Sequence, residues 1–171
     1  VDGTSLTLSG VVSGDYGFSK TGSGTLILRG ANTFGYTPSL VGNVIDISGG
    51  TLQVAGTSGF TSYTGDLSMN IASSAVFRHS SSSDVTIGGT VSGAGSIIKD
   101  TSSVSTLFLT ATGNNLSGGV QIKSGTLEIW RSQASGVISL GDVTGNNPVV
   151  LRVVNYITLA NPIYLNPNGI I

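Results

Sequence analysis

The chain has 171 residues, a net charge of −1 and no cysteine. Only 9% of its residues are charged and its Lys and Arg are scattered singly, which excludes a basic face for nucleic acid or an anionic membrane surface. The missing cysteine excludes disulfides, thiolate chemistry and Cys-based zinc sites, while 39% hydrophobic residues separate the chain from a disordered Gly/Ser linker.

Alternation starts at once. Leu6 and Leu8 point one way and Ser5, Thr7 and Ser9 the other, with Gly10 closing the run, as a half-buried strand requires. Further apolar beats follow at Val11-Val12, Leu26 with Leu28, Val44-Ile45 with Ile47, and Leu52 with Val54. The second half continues with Met69 and Ile71, Val76-Phe77, Val85 and Ile87, Ile97-Ile98, Leu107 and Leu109, Val120 and Ile122, and Leu127 and Ile129. Last come Ile138 with Leu140, Val149 with Leu151 and Val153, Ile157 with Leu159, and Ile163 with Leu165. Gly, Asn, Asp, Ser and Pro separate the runs, which is corner chemistry, and no stretch carries the periodicity of a helix. The apolar stretch from Pro148 to Ile171 is broken by Arg152, Asn155, Asn161, Pro162, Asn166 and Pro167, so it reads as three more strands rather than a membrane-spanning helix.

One phrase occurs twice. Val12-Ser13-Gly14, Lys20, Thr25-Leu26-Ile27-Leu28 and Gly50-Thr51-Leu52-Gln53-Val54 return as Val91-Ser92-Gly93, Lys99, Thr106-Leu107-Phe108-Leu109 and Gly125-Thr126-Leu127-Glu128-Ile129. The offset is 79 from Val12 to Val91 and from Lys20 to Lys99, 81 from Leu26 to Leu107 and 75 from Leu52 to Leu127, so length varies only between strands. The largest difference, about seven residues around Tyr36-Thr37-Pro38-Ser39, belongs in an outward loop. A unit of short strands that cannot bury its apolar side alone must stack on its neighbours. The expected fold is an all-β parallel β-helix with almost no helix, a single domain over 1–171. Its repeats lie at about 6–56 and 85–131 and its C-terminal coils at 137–171. At roughly 20 to 25 residues per coil it makes about seven coils, and at about 4.8 Å per strand a rod some 35 Å long.

Lys20-Thr21-Gly22-Ser23-Gly24-Thr25-Leu26-Ile27-Leu28-Arg29-Gly30-Ala31-Asn32-Thr33-Phe34, followed by Gly49-Gly50-Thr51-Leu52-Gln53-Val54, resembles the autotransporter-associated β-strand repeat. That family's pattern is approximately K-x-G-x-G-T-L-x-L-x-G-x-N-T-[YF], a spacer, then G-G-T-L-x-V. In the second copy Asp100-Thr101-Ser102-Ser103 replaces the Gly-x-Gly turn, and Asn114-Asn115-Leu116-Ser117-Gly118-Gly119 stands for the N-T-[YF]-x-G-G segment. The resemblance implies a right-handed parallel β-helix, secreted or held at the bacterial cell surface outside the outer membrane. It carries no catalytic residues to transfer.

The residues themselves point to no catalytic, cofactor or metal site. The acids Asp2, Asp15, Asp46, Asp66, Asp84, Asp100, Glu128 and Asp142 are isolated, and most sit at corners as turn caps and solubilising groups. A carboxylate pair such as Asp84 with Asp100 on one face is what a glycan-active enzyme needs. His79, the only histidine, lies in Arg78-His79-Ser80-Ser81-Ser82-Ser83-Asp84, which reads as an ordinary polar loop more readily than as a Ser-His-Asp triad. Tyr36, Phe60, Tyr63 and Trp130 lie near loops, where an aromatic ring packs locally or stacks on a partner or a sugar.

No capping element is legible at either end, and Asn168-Gly169-Ile170-Ile171 placed before Val1-Asp2-Gly3-Thr4-Ser5-Leu6 continues the repeat pattern. The expected interface is therefore end to end, through Leu6, Leu8, Val11, Ile163, Leu165, Ile170 and Ile171, with copies of the chain head to tail or with flanking repeats of a longer chain. The leading expectation is a structural, non-enzymatic subunit or segment of an extracellular bacterial fibre or stalk. The alternatives are an autotransporter-type adhesin passenger that binds surface glycans or host or neighbour proteins through its loops, and a glycan-active β-helix enzyme. Neither nucleic acid nor membrane insertion is expected.

Overall fold

The computed structural model describes residues 1–35, 44–56, 67–101, 104–131, 136–142 and 147–167, and the backbone of 169–170. Among them every regular element is a short strand. The first coil carries β1 (Ser5–Leu8), β2 (Ser13–Gly14) and β3 (Ser19–Lys20), and the second β4 (Thr25–Leu28), β5 (Thr33–Phe34) and β6 (Val44–Ile47). Next come β7 (Thr51–Gly56) and β8 (Ser68–Ile71), then β9 (Val76–Ser81), β10 (Val85–Ile87) and β11 (Val91–Gly93). The following coil has β12 (Ser96–Lys99), β13 (Thr106–Leu109) and β14 (Asn115–Leu116). The chain ends with β15 (Val120–Ile122), β16 (Gly125–Ile129), β17 (Ile138–Leu140), β18 (Val149–Val153), β19 (Ile163–Leu165) and β20 (Gly169–Ile170).

All pairings among the described residues are parallel, and partners come from successive coils rather than from hairpins, which makes the fold a parallel β-helix. A first face stacks eight strands, β1-β4-β7-β9-β12-β15-β17-β19, so seven steps separate its ends. The second face holds β2-β5 and then β10-β13-β16-β18-β20, and the third β3-β6-β8-β11-β14. Steps on the first face run from 18 residues (Val120↔Ile138) to 26 (Thr25↔Thr51), and corners absorb the variation. The apolar pair Ile157 and Leu159, expected as a strand, forms none; both pack partly buried against the core.

Period-two alternation explains the core. Leu52, Phe77 and Ile97 follow one another in register on the first face, and Leu107 and Leu127 on the second, all fully buried. Each such side chain stabilises the stack by about 1.5–3 kcal/mol relative to exposure. Coils this close leave no room for side chains at some corners. Gly50 has φ +63°, and a Cβ there would collide with the carbonyl of Gly24 in the preceding coil.

The two repeats do not sit one above the other. Lys20 is on the third face and its T-L-I-L and G-T-L-Q-V strands β4 and β7 are on the first, whereas Lys99 is on the first face and β13 and β16 are on the second. The V-S-G strands β2 and β11 shift in the same sense, from the second face to the third. The repeat thus advances by one face between copies.

Candidate functional site

One position of the repeat does the same work in both copies, and a second points the same way in both. Asn32, fully buried, donates from Nδ2 to Gly30 O at 2.8 Å and accepts from Val12 N–H at 2.9 Å. Asn114 donates to Ala111 O at 3.1 Å and accepts from Val91 N–H at 2.7 Å. Each asparagine closes its own corner and ties it to the V-S-G strand of the coil before, so Asn114-Asn115-Leu116 is the structural equivalent of Asn32-Thr33-Phe34. In both copies the lysine points into the coil. Lys20 donates to the carbonyls of Thr21 at 3.0 Å, Gly22 at 2.8 Å and Gly49 at 2.8 Å. Burial lowers its pKa, opposed by the charge of Asp2.

Around Lys99 the surroundings are different. The inward row of the first face reads Leu8, Leu28, Val54, His79, Lys99, Ile122, Leu140 and Leu165, so a histidine and a lysine on adjacent coils replace aliphatic residues. Both are 0% exposed. His79 Nε2 lies 3.0 Å from Ser83 O, an acceptor, which makes this nitrogen the donor, while Nδ1 is buried with no hydrogen-bond partner among the described residues. Lys99 Nζ donates to Ser105 Oγ at 2.9 Å, and Ser105 Oγ donates to Ser81 O at 2.9 Å. Burial, reinforced by the Lys99 charge, pushes the His79 imidazole down to about 4. Burial likewise pushes Lys99 down to about 8 against the attraction of Asp100 and Asp84.

Beside this rung Arg78 Nε donates to Asp100 Oδ2 at 2.8 Å, and its Nη2 reaches the same oxygen. Asp100 also accepts from Ser80 Oγ at 2.6 Å and Thr101 Oγ1 at 2.9 Å. Burial alone would raise the Asp100 carboxyl, but these donors hold it below the ordinary carboxylate value. Asp84 Oδ1 accepts from Thr106 N–H at 2.7 Å in the next coil, as a corner cap does. The segment Arg78–Ser81 is therefore strand, not loop: pairing with β7 and β12 overrides its polar composition and turns His79 inward. Asp100 and Glu128, expected at the surface, are buried and ion-paired, with Arg78 and Arg152 respectively. The lysines Lys20 and Lys99 were legible as repeat positions, but nothing in a single sequence marks them as inward-facing.

The expected terminal residues lie on the outermost coils. Leu6 is 47% exposed and Leu8 half-buried on β1, and Val11 is 60% exposed beyond it. At the other end Ile163 is 36% and Leu165 59% exposed on β19. Ile170 is on β20 opposite Val150; its side chain and Ile171 lie outside the described residues.

Of the four aromatics, Tyr36, Phe60 and Tyr63 lie outside the described residues. Trp130 follows β16, 40% exposed, and its indole N–H donates to Glu128 Oε1 at 2.6 Å. Arg152 Nη1 donates to Glu128 Oε2 at 2.9 Å, and Phe108 is the register neighbour of Glu128 on the other side. Phe18 and Phe34 pack edge to face with ring centroids 5.1 Å apart.

Among the described residues no cluster of His, Cys, Asp or Glu is arranged to hold a metal, and no helix is long and apolar enough to cross a membrane. No known protein family, curated protein or solved structure matches the chain, so its site is read from its own geometry.

Proposed function

We propose that the chain is a structural β-helical rod, a subunit or segment of an extracellular bacterial fibre or surface stalk, prolonged end to end by strand stacking at its outer coils. The observation that carries this reading is the fate of one inward row. Leu52, Phe77 and Ile97 are 0% exposed in the middle coils, whereas Leu6 and Ile163, at the same inward position on the outer strands, are 47% and 36% exposed. A further coil laid on β1 or β19 would continue both the parallel hydrogen-bond ladder and the apolar row. Its source is either another copy of the chain or a flanking repeat of a longer one. The cell-surface setting follows from the likeness of Lys20–Val54 to autotransporter repeats.

Electron microscopy and light scattering on concentrated protein test the reading. The expected result is filaments of constant width, shortened by Leu6→Lys or Leu165→Lys. Monodisperse single rods at every concentration, unchanged by these substitutions, would count against stacking between copies.

Trp130 supports a second reading, adhesion to a surface glycan. It is half-exposed and shares the Glu128 carboxylate with Arg152, which sets an apolar plate near a charge, and Trp130→Ala should abolish retention on a glycan surface if this reading holds. A catalytic reading has no comparable support, because the two acids buried among the described residues, Asp100 and Glu128, are each engaged by an arginine.

A further inference from the structure

His79 and Lys99 form a rung of two basic side chains inside a coil stack whose core is otherwise aliphatic and aromatic at these rows. In the neutral imidazole the Nε2 proton is accepted by Ser83 O and the Nδ1 lone pair faces no donor among the described residues. A second proton must go to Nδ1, which is shut off from solvent and finds no acceptor among the described residues.

The charged neighbours do not relieve that position. From β12 comes Lys99, of like charge. Asp100, at the end of β12, already accepts from Arg78, Ser80 and Thr101. Asp84, before β10, accepts from the Thr106 backbone. From β7 the row neighbour is Val54, and from the β13 side Ser105, neither of which carries charge. Adding a proton therefore places two cations on consecutive strands, both shut off from solvent, a state that a folded chain avoids by opening.

We infer that the rung is a proton-operated weak point: protonation of His79 opens the pairing of β9 with β12 while the coils on either side remain stacked. In a rod held by repeated, near-equivalent contacts, one polar rung localises the opening, since each coil contacts only its neighbours. Acidification would thus expose fresh strand edges in the middle of the rod rather than at its ends.

His79 is the only histidine, so its ring signals in an NMR titration report this site alone. The expected ring titration in the folded protein is near pH 4, well below the ordinary value of about 6.5. Hydrogen-exchange protection factors for β9 and β12 amides should fall about tenfold or more between pH 6.5 and 4.5, with those of β4–β7 and β13–β16 unchanged. His79→Leu, which restores the aliphatic row, should remove that fall. A ring titrating near 6.5, protection lost uniformly, or an unchanged fall in His79→Leu would overturn the inference. If His79→Leu fails to fold, the ring titration and the location of the exchange in the unmodified protein decide it.

Discussion

Lys20 and Lys99 hold the same place in the two repeats and both point inward, yet Lys20 ends among three backbone carbonyls and Lys99 lies against His79 of the coil before. The repeat specifies the strand, the corner and the direction of the lysine. What the ammonium meets depends on the neighbouring coil, because the two copies sit one face apart around the helix. The first lysine closes a corner; the second makes a buried polar rung in the core.

The largest expected effect comes from what both regions share. Phe77, fully buried beside the rung, packs between Leu52 and Ile97, and Phe77→Ala should cost about 3–5 kcal/mol in a chemical-denaturation experiment. An effect below about 1 kcal/mol would break the comparison, since the row would then not be continuous.

Acid comes next. With His79 at about 4 when folded and 6.5 when unfolded, the unfolded chain binds more protons between those values. The His79 contribution is complete above pH 6.5 and is lost as pH falls toward 4, by up to about 3 kcal/mol. Lys99, at about 8 against 10.5, adds a second window in which stability rises from pH 8 to 10.5. Denaturation midpoints across pH 4 to 10.5 should show both rises, and His79→Leu should flatten only the acidic one.

Exchanging each lysine for methionine sharpens the contrast. Lys20→Met strands the carbonyls of Thr21, Gly22 and Gly49 and should destabilise by about 1–3 kcal/mol. Lys99→Met removes a buried charge from beside His79 and should cost less, raising the imidazole pKa by NMR at the same time. The smallest effects belong to the equivalent corners: Asn32→Ala and Asn114→Ala should each cost about 1–2 kcal/mol, and by similar amounts.

Much of the architecture was legible because its signals are local. Alternation at Leu26-Ile27-Leu28 marks a strand, and the offsets between copies place length changes at corners. Asn114-Asn115-Leu116, a degenerate match, still occupies the position of Asn32-Thr33-Phe34 because its side-chain amide makes the same two bonds. The candidate site was not legible in this way. Arg78-His79-Ser80-Ser81 has the composition of a loop, and only its pairing with Thr51–Gly56 and Ser96–Lys99 makes it strand and turns His79 inward. The advance of the repeat by one face depends on total residues per coil, including corners whose lengths a pattern search does not weigh.

The stacking of outer coils is tested most directly by cross-linking, since the chain has no cysteine of its own. Thr7 and Tyr164 are the outward residues of β1 and β19, and a copy laid with Leu6 over Ile163 and Leu8 over Leu165 brings them together. Mild oxidation of a mixture of Thr7→Cys and Tyr164→Cys proteins should give a disulfide-linked mixed dimer, with little product from either protein alone. No mixed dimer, or equal dimerisation of each variant with itself, would contradict head-to-tail stacking.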